Sequence, residues 1–269
     1  MKTFLKLQNN LLSGRAVSVL GPTLYARYLA MFFANIPRIL RTGDLQPLDK
    51  SMGMAAKQFY YRGRSFIFDC QFCDEHLEED SFGFGVVREI YIRDCYFKWH
   101  PPSIYTKART VIDLGANRGA LSTLMTTQAK FILSVDCGEQ YAPITRHNMS
   151  RNNYTNYAIE TVLVGAGGTL AGSDAPRITM DELFRRHEIE SVDLIKMDIE
   201  GSEFALFESA DWLKRVNAIS MEVHPLHGAP HTILNIINQY GFTYAIADEN
   251  LQRIDDAREA SFIYAWKNA

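Results

Sequence analysis

Cysteine is scarce. Cys70, Cys73, Cys95 and Cys137 are the four in 269 residues, too few for a disulfide framework in a chain of this length, so a reducing cytoplasm is the expected compartment. No charge of one sign dominates. The 28 basic residues stand against 31 acidic ones, for a net charge of −3. That balance offers no polyanion-binding surface, and nucleic acid is not an expected partner. Uninterrupted apolar runs of 18 or more residues are also missing, so no transmembrane helix is expected. Arg15 interrupts the apolar stretch that a signal peptide would need.

Two glycines are missing from an informative place. Thr110–Ala120 reads TVIDLGANRGA, a short apolar strand that ends near Asp113 and turns through glycine into a helix running from Gly119 to about Gln128. A strand, a glycine turn and a helix form the nucleotide-binding corner of α/β folds. A dinucleotide fingerprint beginning at Gly115 would need glycine at 117 and 120, where the chain has Asn117 and Ala120. The middle glycine is what lets a pyrophosphate reach the backbone, and Asn117 fills that space. An Asp just before the turn suits a ligand with a positive amine, such as S-adenosylmethionine (AdoMet). An NAD(P)-dependent oxidoreductase and a non-catalytic binding module of the same fold are the alternatives.

What is present is 47% hydrophobic residues, enough for a real core in one large α/β domain with an appended segment. Residues 1–50 read as a helical segment. Leu20–Leu40 carries a broad apolar face between Pro22 and Pro37, suited to packing on the catalytic domain, to homo-oligomerisation, to a lid or to a membrane surface. Residues 51–104 read as a β-rich extension and possible cap for substrate. Gln58–Asp69 alternates around a turn at Arg62-Gly63, Phe84–Trp99 is rich in strand formers, and the acidic stretch Asp74–Asp80 reads as a loop or short helix. Cys70-x-x-Cys73 with Cys95 and His76 or His100 lacks a second matched pair for zinc, and buried free thiols fit better.

Residues 105–269 alternate strand and helix, which implies a mainly parallel sheet. The strands expected are Val111–Leu114, Phe131–Asp136, Tyr157–Val164, Val192–Asp198 and Ala218–Val223. The helices expected are Gln140–Asn153, Met180–His187 behind a capping box at Thr179 and Glu182, Ser202–Val216 and His231–Tyr240. A loop is expected at Gly165–Gly168. Phe242–Asp248 and Ser261–Lys267 lie too close together for a crossover helix and so form an antiparallel pair.

In such a sheet the ligand lies beyond the carboxyl ends of the strands. Asp136 follows Asp113 by 23 residues, the spacing of the acid that takes a ribose hydroxyl pair, with Glu139 as fallback. The fourth strand ends in Lys196-Met-Asp198-Ile-Glu200. Asp198 is placed to accept a substrate proton, hold a cation or orient an amine, while Glu200 suits a helix N-terminus. The fifth strand ends in Glu222-Val-His224, and His224 has the intrinsic pKa of a general base. Asp198, Glu222 and His224 are therefore the expected catalytic residues. Should a divalent cation such as Mg²⁺ be used, they are also its expected ligands. His227 and His231 are weaker candidates.

Val111–Ser122 (VIDLGANRGALS), Val192–Glu203 (VDLIKMDIEGSE) and Ile219–Pro225 (ISMEVHP), with Arg177–Leu183 (RITMDEL), resemble the FkbM family of AdoMet-dependent methyltransferases. The resemblance covers about residues 105–240. It implies the class I methyltransferase fold, Rossmann-like, with a seven-stranded mixed sheet and helices on both faces; the N-terminal helical and β-rich extension lies outside the resemblance and is read from the residues alone. It implies methyl transfer to a hydroxyl of a sugar or other small natural product. It also implies that Asp113, Gly115, Asn117 and Gly119 line the methionine end and that Asp136 takes the ribose; Ala116, Cys137 and Gly165 complete the expected cofactor set. Where family members often read Phe-Glu-Pro, this chain has Val135-Asp136-Cys137.

Overall fold

The computed structural model describes residues 14–53, 55–77, 82–165 and 175–268. The chain forms two compact units, one of residues 1–95, 118–127 and 143–155, the other of residues 96–117, 128–142 and 156–269.

The first unit opens with helix α1 (Gly14–Thr42), broken at Gly21, whose φ of 68° and ψ of 164° leave the helical region just ahead of Pro22. By length and composition α1 could cross a membrane, with an 18-residue window of mean hydropathy 1.2, of which 22% is buried in the structure. The expectation from uninterrupted runs missed this, because an averaged window tolerates the charges that break a run. Helix α2 (Gln46–Ser51) follows, then strands β1 (Lys57–Tyr61) and β2 (Arg64–Phe68). They pair antiparallel about Arg62 and Gly63, both at positive φ, as a two-residue hairpin turn requires.

Helix α3 (Cys70–Glu75) is capped by the Asp69 carboxylate. Phe84–Trp99, expected as strand, is instead helix α4 (Gly83–Val87) and a π-helical turn at Arg88–Ile92. Phe84, Val87, Tyr91 and Ile92 are all buried and recur at helical spacing, which outweighs their strand propensity. Part of the expected acidic loop, 78–80, lies outside the described residues.

The second unit holds the main sheet. After helix α5 (Pro102–Lys107) come β3 (Thr110–Leu114), helix α6 (Ala120–Met125, which belongs to the first unit), β4 (Phe131–Asp136) and helix α7 (Tyr141–Arg151, whose residues 143–151 belong to the first unit). Next are β5 (Tyr157–Thr161), β6 (Leu163–Val164), β7 (Arg177–Ile178), helix α8 (Met180–Arg186), β8 (Leu194–Met197) and helix α9 (Glu203–Phe207). The unit ends with a 3₁₀ turn at Asp211–Arg215, β9 (Ala218–Glu222), helix α10 (Pro230–Gln239), β10 (Thr243–Ala247), β11 (Arg253–Ile254) and β12 (Phe262–Trp266).

The strand order is β11-β10-β12-β9-β8-β3-β4-β5. Strands β5, β4, β3, β8 and β9 are parallel, and β12 runs antiparallel between β9 and β10. This is the class I methyltransferase sheet with eight strands where seven were expected. The extra one is β11, two residues long and lying between the two strands expected to pair antiparallel, and it pairs with Ile246 and Ala247. Two further boundaries differ. The expected third strand breaks at Val162, so that Leu163 and Val164 leave the sheet to pair with β7. The expected helix Ser202–Val216 stops at Phe207 and resumes as the 3₁₀ turn. Residues 166–168 of the expected glycine loop lie outside the described residues.

One face of this sheet is apolar. Ile112, Leu114, Leu133, Val135, Ile195, Met197, Ile219 and Met221 form a core with Leu183 and Phe184 of α8, Leu206 and Phe207 of α9, and Ile233 and Ile237 of α10. On the other face, residues 96–107 cover the β9–β12 end. There His100 packs edge-on against Tyr264 and Trp266, and Phe97 against Tyr105 of α5.

Candidate active site

Alternation along each strand sets the site. The residues that alternate with the apolar core point to the other face, and there the register aligns Ser134, Asp113, Lys196, Ser220 and Tyr264 in one row across five strands. All five are buried, and the polar members are engaged. Ser220 Oγ donates to the carbonyl of Tyr96 at 2.5 Å and meets His100 Nε2 at 2.8 Å. Lys196 Nζ donates to the carbonyls of Gly115 at 2.6 Å and Leu114 at 3.3 Å, and lies 3.5 Å from Asp113 Oδ1. A buried ammonium needs such partners, and here they tie the sheet to the glycine turn.

The turn packs against the end of β8. The φ at Gly115 is +71°, and a Cβ there would lie 1.6 Å from the carbonyl oxygen of Asp198, so only glycine fits. Asn117 is also left-handed, at φ 47°, a conformation asparagine tolerates. The backbone N–H groups of Gly115 and Ala116 both bond to the Val135 carbonyl. Asp136, at the end of β4, closes the corner. Its Oδ2 accepts from Asn117 N at 2.7 Å and its Oδ1 from Gly138 N at 2.9 Å. Burial raises the carboxyl's pKa, while those two N–H groups and the Lys196 charge oppose the rise. Each carboxylate oxygen keeps further acceptor capacity.

Beside it opens a cleft lined by Leu114, Gly115, Val135, Asp136, Cys137, Val162, Leu163, Val164, Asp198, Ile199 and Glu200. Apolar walls with the Asp136 carboxylate at the end of β4 match a nucleoside: the walls suit a base, and that acid suits a ribose diol.

At one edge of this cleft the ends of β8 and β9 bring three side chains together. The Asp198 Oδ2 oxygen accepts a hydrogen bond from Tyr96 at 2.9 Å and lies 3.8 Å from Lys196 Nζ. Its Oδ1 is 3.9 Å from His224 Nε2, and Glu200 Oε2 is 3.4 Å from the same nitrogen. Glu200 and Gly201 both have positive φ, at 52° and 96°. For a glutamate that is an uncommon conformation of the kind that gathers at functional sites. Glu203, in the first turn of α9, is wholly buried, and its Oε1 takes the His224 Nδ1 proton at 2.6 Å. That bond raises the His224 pKa from 6.5 to about 9. Burial opposes the rise, while the charges of Glu203, Glu200 and Asp198 add to it.

The structure therefore brings Asp198 and His224 together, as expected, but with Glu200 beside them. Glu222 stays at the end of β9, in register with Phe262, and is not in the group whose ligand atoms lie within 4.8 Å of one another. His227, His231 and Glu139 are exposed. Gly115, Asp136 and Cys137 line the cleft, and Gly165 follows Val164 at its rim with a backbone bond to Ile178. Gly119, at φ 67°, begins α6 in the first unit, where a Cβ would meet the Thr145 side chain at 2.6 Å.

Sequence reasoning missed Glu203 and Tyr96. Glu203 reads as an ordinary first-turn acid, and its signal was its place in the most distinctive stretch, Val192–Glu203. Tyr96 carried no signal. The cysteines and histidines weighed for zinc form no ligand group among the described residues. Cys70, Cys73 and Cys95 are buried and form no disulfide.

A family model described as the methyltransferase FkbM domain matches residues 105–244. No curated protein sequence matches the chain. Among solved structures, the chain is similar to the N-methyltransferase NodS from Bradyrhizobium japonicum in complex with S-adenosylhomocysteine (10% identity, 74% of this chain and 97% of that one, TM-score 0.46). It is also similar to an rRNA methylase from Streptococcus thermophilus (11% identity, 62% and 92%, TM-score 0.42). A third is a ribosomal protein L11 methylase from Lactobacillus delbrueckii (16% identity, 59% and 70%, TM-score 0.36).

Proposed function

The chain belongs to the FkbM methyltransferase family, and from that premise we propose that this AdoMet-dependent methyltransferase methylates a hydroxyl of a small molecule, of the sugar or natural-product class. The observation that carries this reading is the pairing of Asp198 and His224 at the edge of the cleft that Gly115 and Asp136 line. Bound there, AdoMet supplies an electrophilic methyl group on a sulfonium. In this reading the residues of the cofactor set divide the work. Asp136 takes the ribose hydroxyls, Asp113 and the Gly115–Asn117 turn face the methionine end, and Leu114, Val135, Val162 and Ile199 exclude water.

An alcohol is a poor nucleophile at neutral pH and needs help to lose its proton. With the Nδ1 proton held on Glu203, His224 offers Nε2 toward Asp198, and the pair stands where an acceptor hydroxyl can give that proton up. A base with a pKa of about 9 is strong but mostly protonated at neutral pH. In this reading the reaction takes place in a reducing cytoplasm, in keeping with four cysteines that form no disulfide. The near-neutral charge balance favours a small-molecule acceptor over nucleic acid.

Calorimetry with S-adenosylhomocysteine should show one site per chain. Radiolabelled methyl from AdoMet should pass to members of a hydroxylated acceptor panel and not to RNA. No cofactor binding, or label carried only by RNA, overturns the reading.

A further inference from the structure

We infer that Asp198, Glu200 and His224 bind one divalent first-row transition-metal ion, with Glu203 and Tyr96 fixing two of its three ligands from behind. One ligand atom from each of the three lies within 4.8 Å of the others. The separations are the informative part. Nε2 stands 3.4 Å from Glu200 and 3.9 Å from Asp198, beyond the roughly 2.7–3.2 Å of a good hydrogen bond. Two ligands held about 2.1 Å from a common ion lie roughly 3.0–4.2 Å apart, and both separations fall in that range.

The groups behind the ligands support the same assignment. Metal-binding histidines are as a rule oriented by a carboxylate on the other ring nitrogen, and Glu203 stands on Nδ1. This carboxylate is wholly buried, and its second oxygen, Oε2, has no hydrogen-bond partner among the described residues, so its one observed side-chain bond is to His224. Tyr96 occupies Asp198 Oδ2 and leaves Oδ1 turned toward Nε2. Three carboxylates thus surround one imidazole. Lys196 donates to the glycine-turn carbonyls and lies 3.5 Å from Asp113 Oδ1 and 3.8 Å from Asp198 Oδ2, the oxygen that Tyr96 also holds, so Oδ1 is left for the ion.

The donor set selects the ion. Magnesium prefers an all-oxygen octahedron. One imidazole nitrogen with two carboxylates suits manganese, iron, cobalt or zinc instead. With three protein ligands the ion keeps open positions, and an acceptor hydroxyl there would lose its proton more readily. That last use rests on the methyl-transfer reading, whereas binding of the ion does not.

The test uses the full chain freed of metal with a chelator and titrated with Mn²⁺, read by calorimetry and electron paramagnetic resonance. Manganese avoids the complication of the half-buried Cys137 thiol. One saturable site is expected, binding Mn²⁺ at least about tenfold more tightly than Mg²⁺. His224→Ala should abolish binding, Glu200→Gln should weaken it at least about tenfold, and Glu203→Gln should weaken it about 10- to 100-fold without touching the ion. The Glu200 side chain is 72% exposed, so Glu200→Gln folds whatever the fate of the others. No saturable Mn²⁺ binding at millimolar concentration, or unchanged affinity in Glu200→Gln, overturns the site. S-adenosylhomocysteine titrated into the metal-free chain separates the two readings. Cofactor binding without a manganese site removes the metal and leaves the methyltransferase reading, and the reverse result removes the latter.

Discussion

Glu203 and His224 meet at 2.6 Å across the mouths of α9 and β9, the carboxylate wholly buried and the imidazole partly exposed. The contact raises the His224 pKa from 6.5 to about 9, so the folded chain binds this proton more tightly than the unfolded chain does. The stability it contributes is fully present below pH 6.5 and is lost as pH rises through about 9. Solvent reaches about a quarter of the imidazole (23% exposed) and screens the interaction, and the loss is on the order of 1–2 kcal/mol. Urea unfolding of the chelator-treated chain at pH 6 and pH 10 should show it. The same comparison in His224→Gln should lack that increment, which separates it from the other groups that titrate in this range. An equal pH dependence in both proteins would show that the contact stores no such energy.

Gly115 and Gly43 offer a controlled comparison. Both have positive φ, +71° and +79°, but a Cβ at 115 would lie 1.6 Å from the Asp198 carbonyl oxygen, while one at 43 has nothing within 4 Å. Gly43→Ala therefore costs only the left-handed backbone, about 1–2 kcal/mol. Gly115→Ala adds a backbone clash and should cost about 3 kcal/mol or more, together with loss of cofactor binding. Thermal unfolding of the two variants, with S-adenosylhomocysteine calorimetry, checks the order.

These contacts show what could be read in advance. The glycine turn, the acids at strand ends and the alternation of apolar residues follow local rules, and each lands where periodicity puts it. Phe84, Val87, Tyr91 and Ile92 did not, because composition was weighed above spacing: the residues are strand formers, yet their intervals are helical. β11 is too short to carry any period. Tyr96 and Glu203 acquire their meaning only through tertiary contact. Tyr96 meets Asp198 across 102 positions, and nothing in the surroundings of Glu203 marks it as more buried than Glu200, three residues earlier.

Asp136 should matter more to cofactor binding than to folding. It holds Asn117 N and Gly138 N with separate oxygens, and asparagine has one acceptor for the two. Asp136→Asn releases one N–H and removes the charge on the ribose side. A ribose hydroxyl loses a charged acceptor worth about 1.5–3 kcal/mol, so affinity for S-adenosylhomocysteine should fall roughly 10- to 100-fold, while the freed N–H, at the solvent-reached corner, costs the fold only about 1 kcal/mol. An unchanged dissociation constant would take Asp136 out of the cofactor set.

Tyr96 lies ahead of the segment that the family model matches, yet its hydroxyl reaches the acid at the end of β8. In Tyr96→Phe the ring can keep its place near Lys196 Nζ, 5.2 Å from the ring centroid, and only the hydroxyl is lost. Asp198 is partly exposed, its side chain at 26%, so water can replace the missing donor and the fold should lose less than about 1 kcal/mol. The orientation of Oδ1 toward His224 is not restored by water, which takes up no single direction. The variant should therefore lose about tenfold in kcat, the equivalent of one charge-assisted hydrogen bond, with KM for AdoMet unchanged. A parallel loss in KM would mean that the hydroxyl shapes the cofactor cleft, and full activity would mean that Asp198 needs no positioning from this segment.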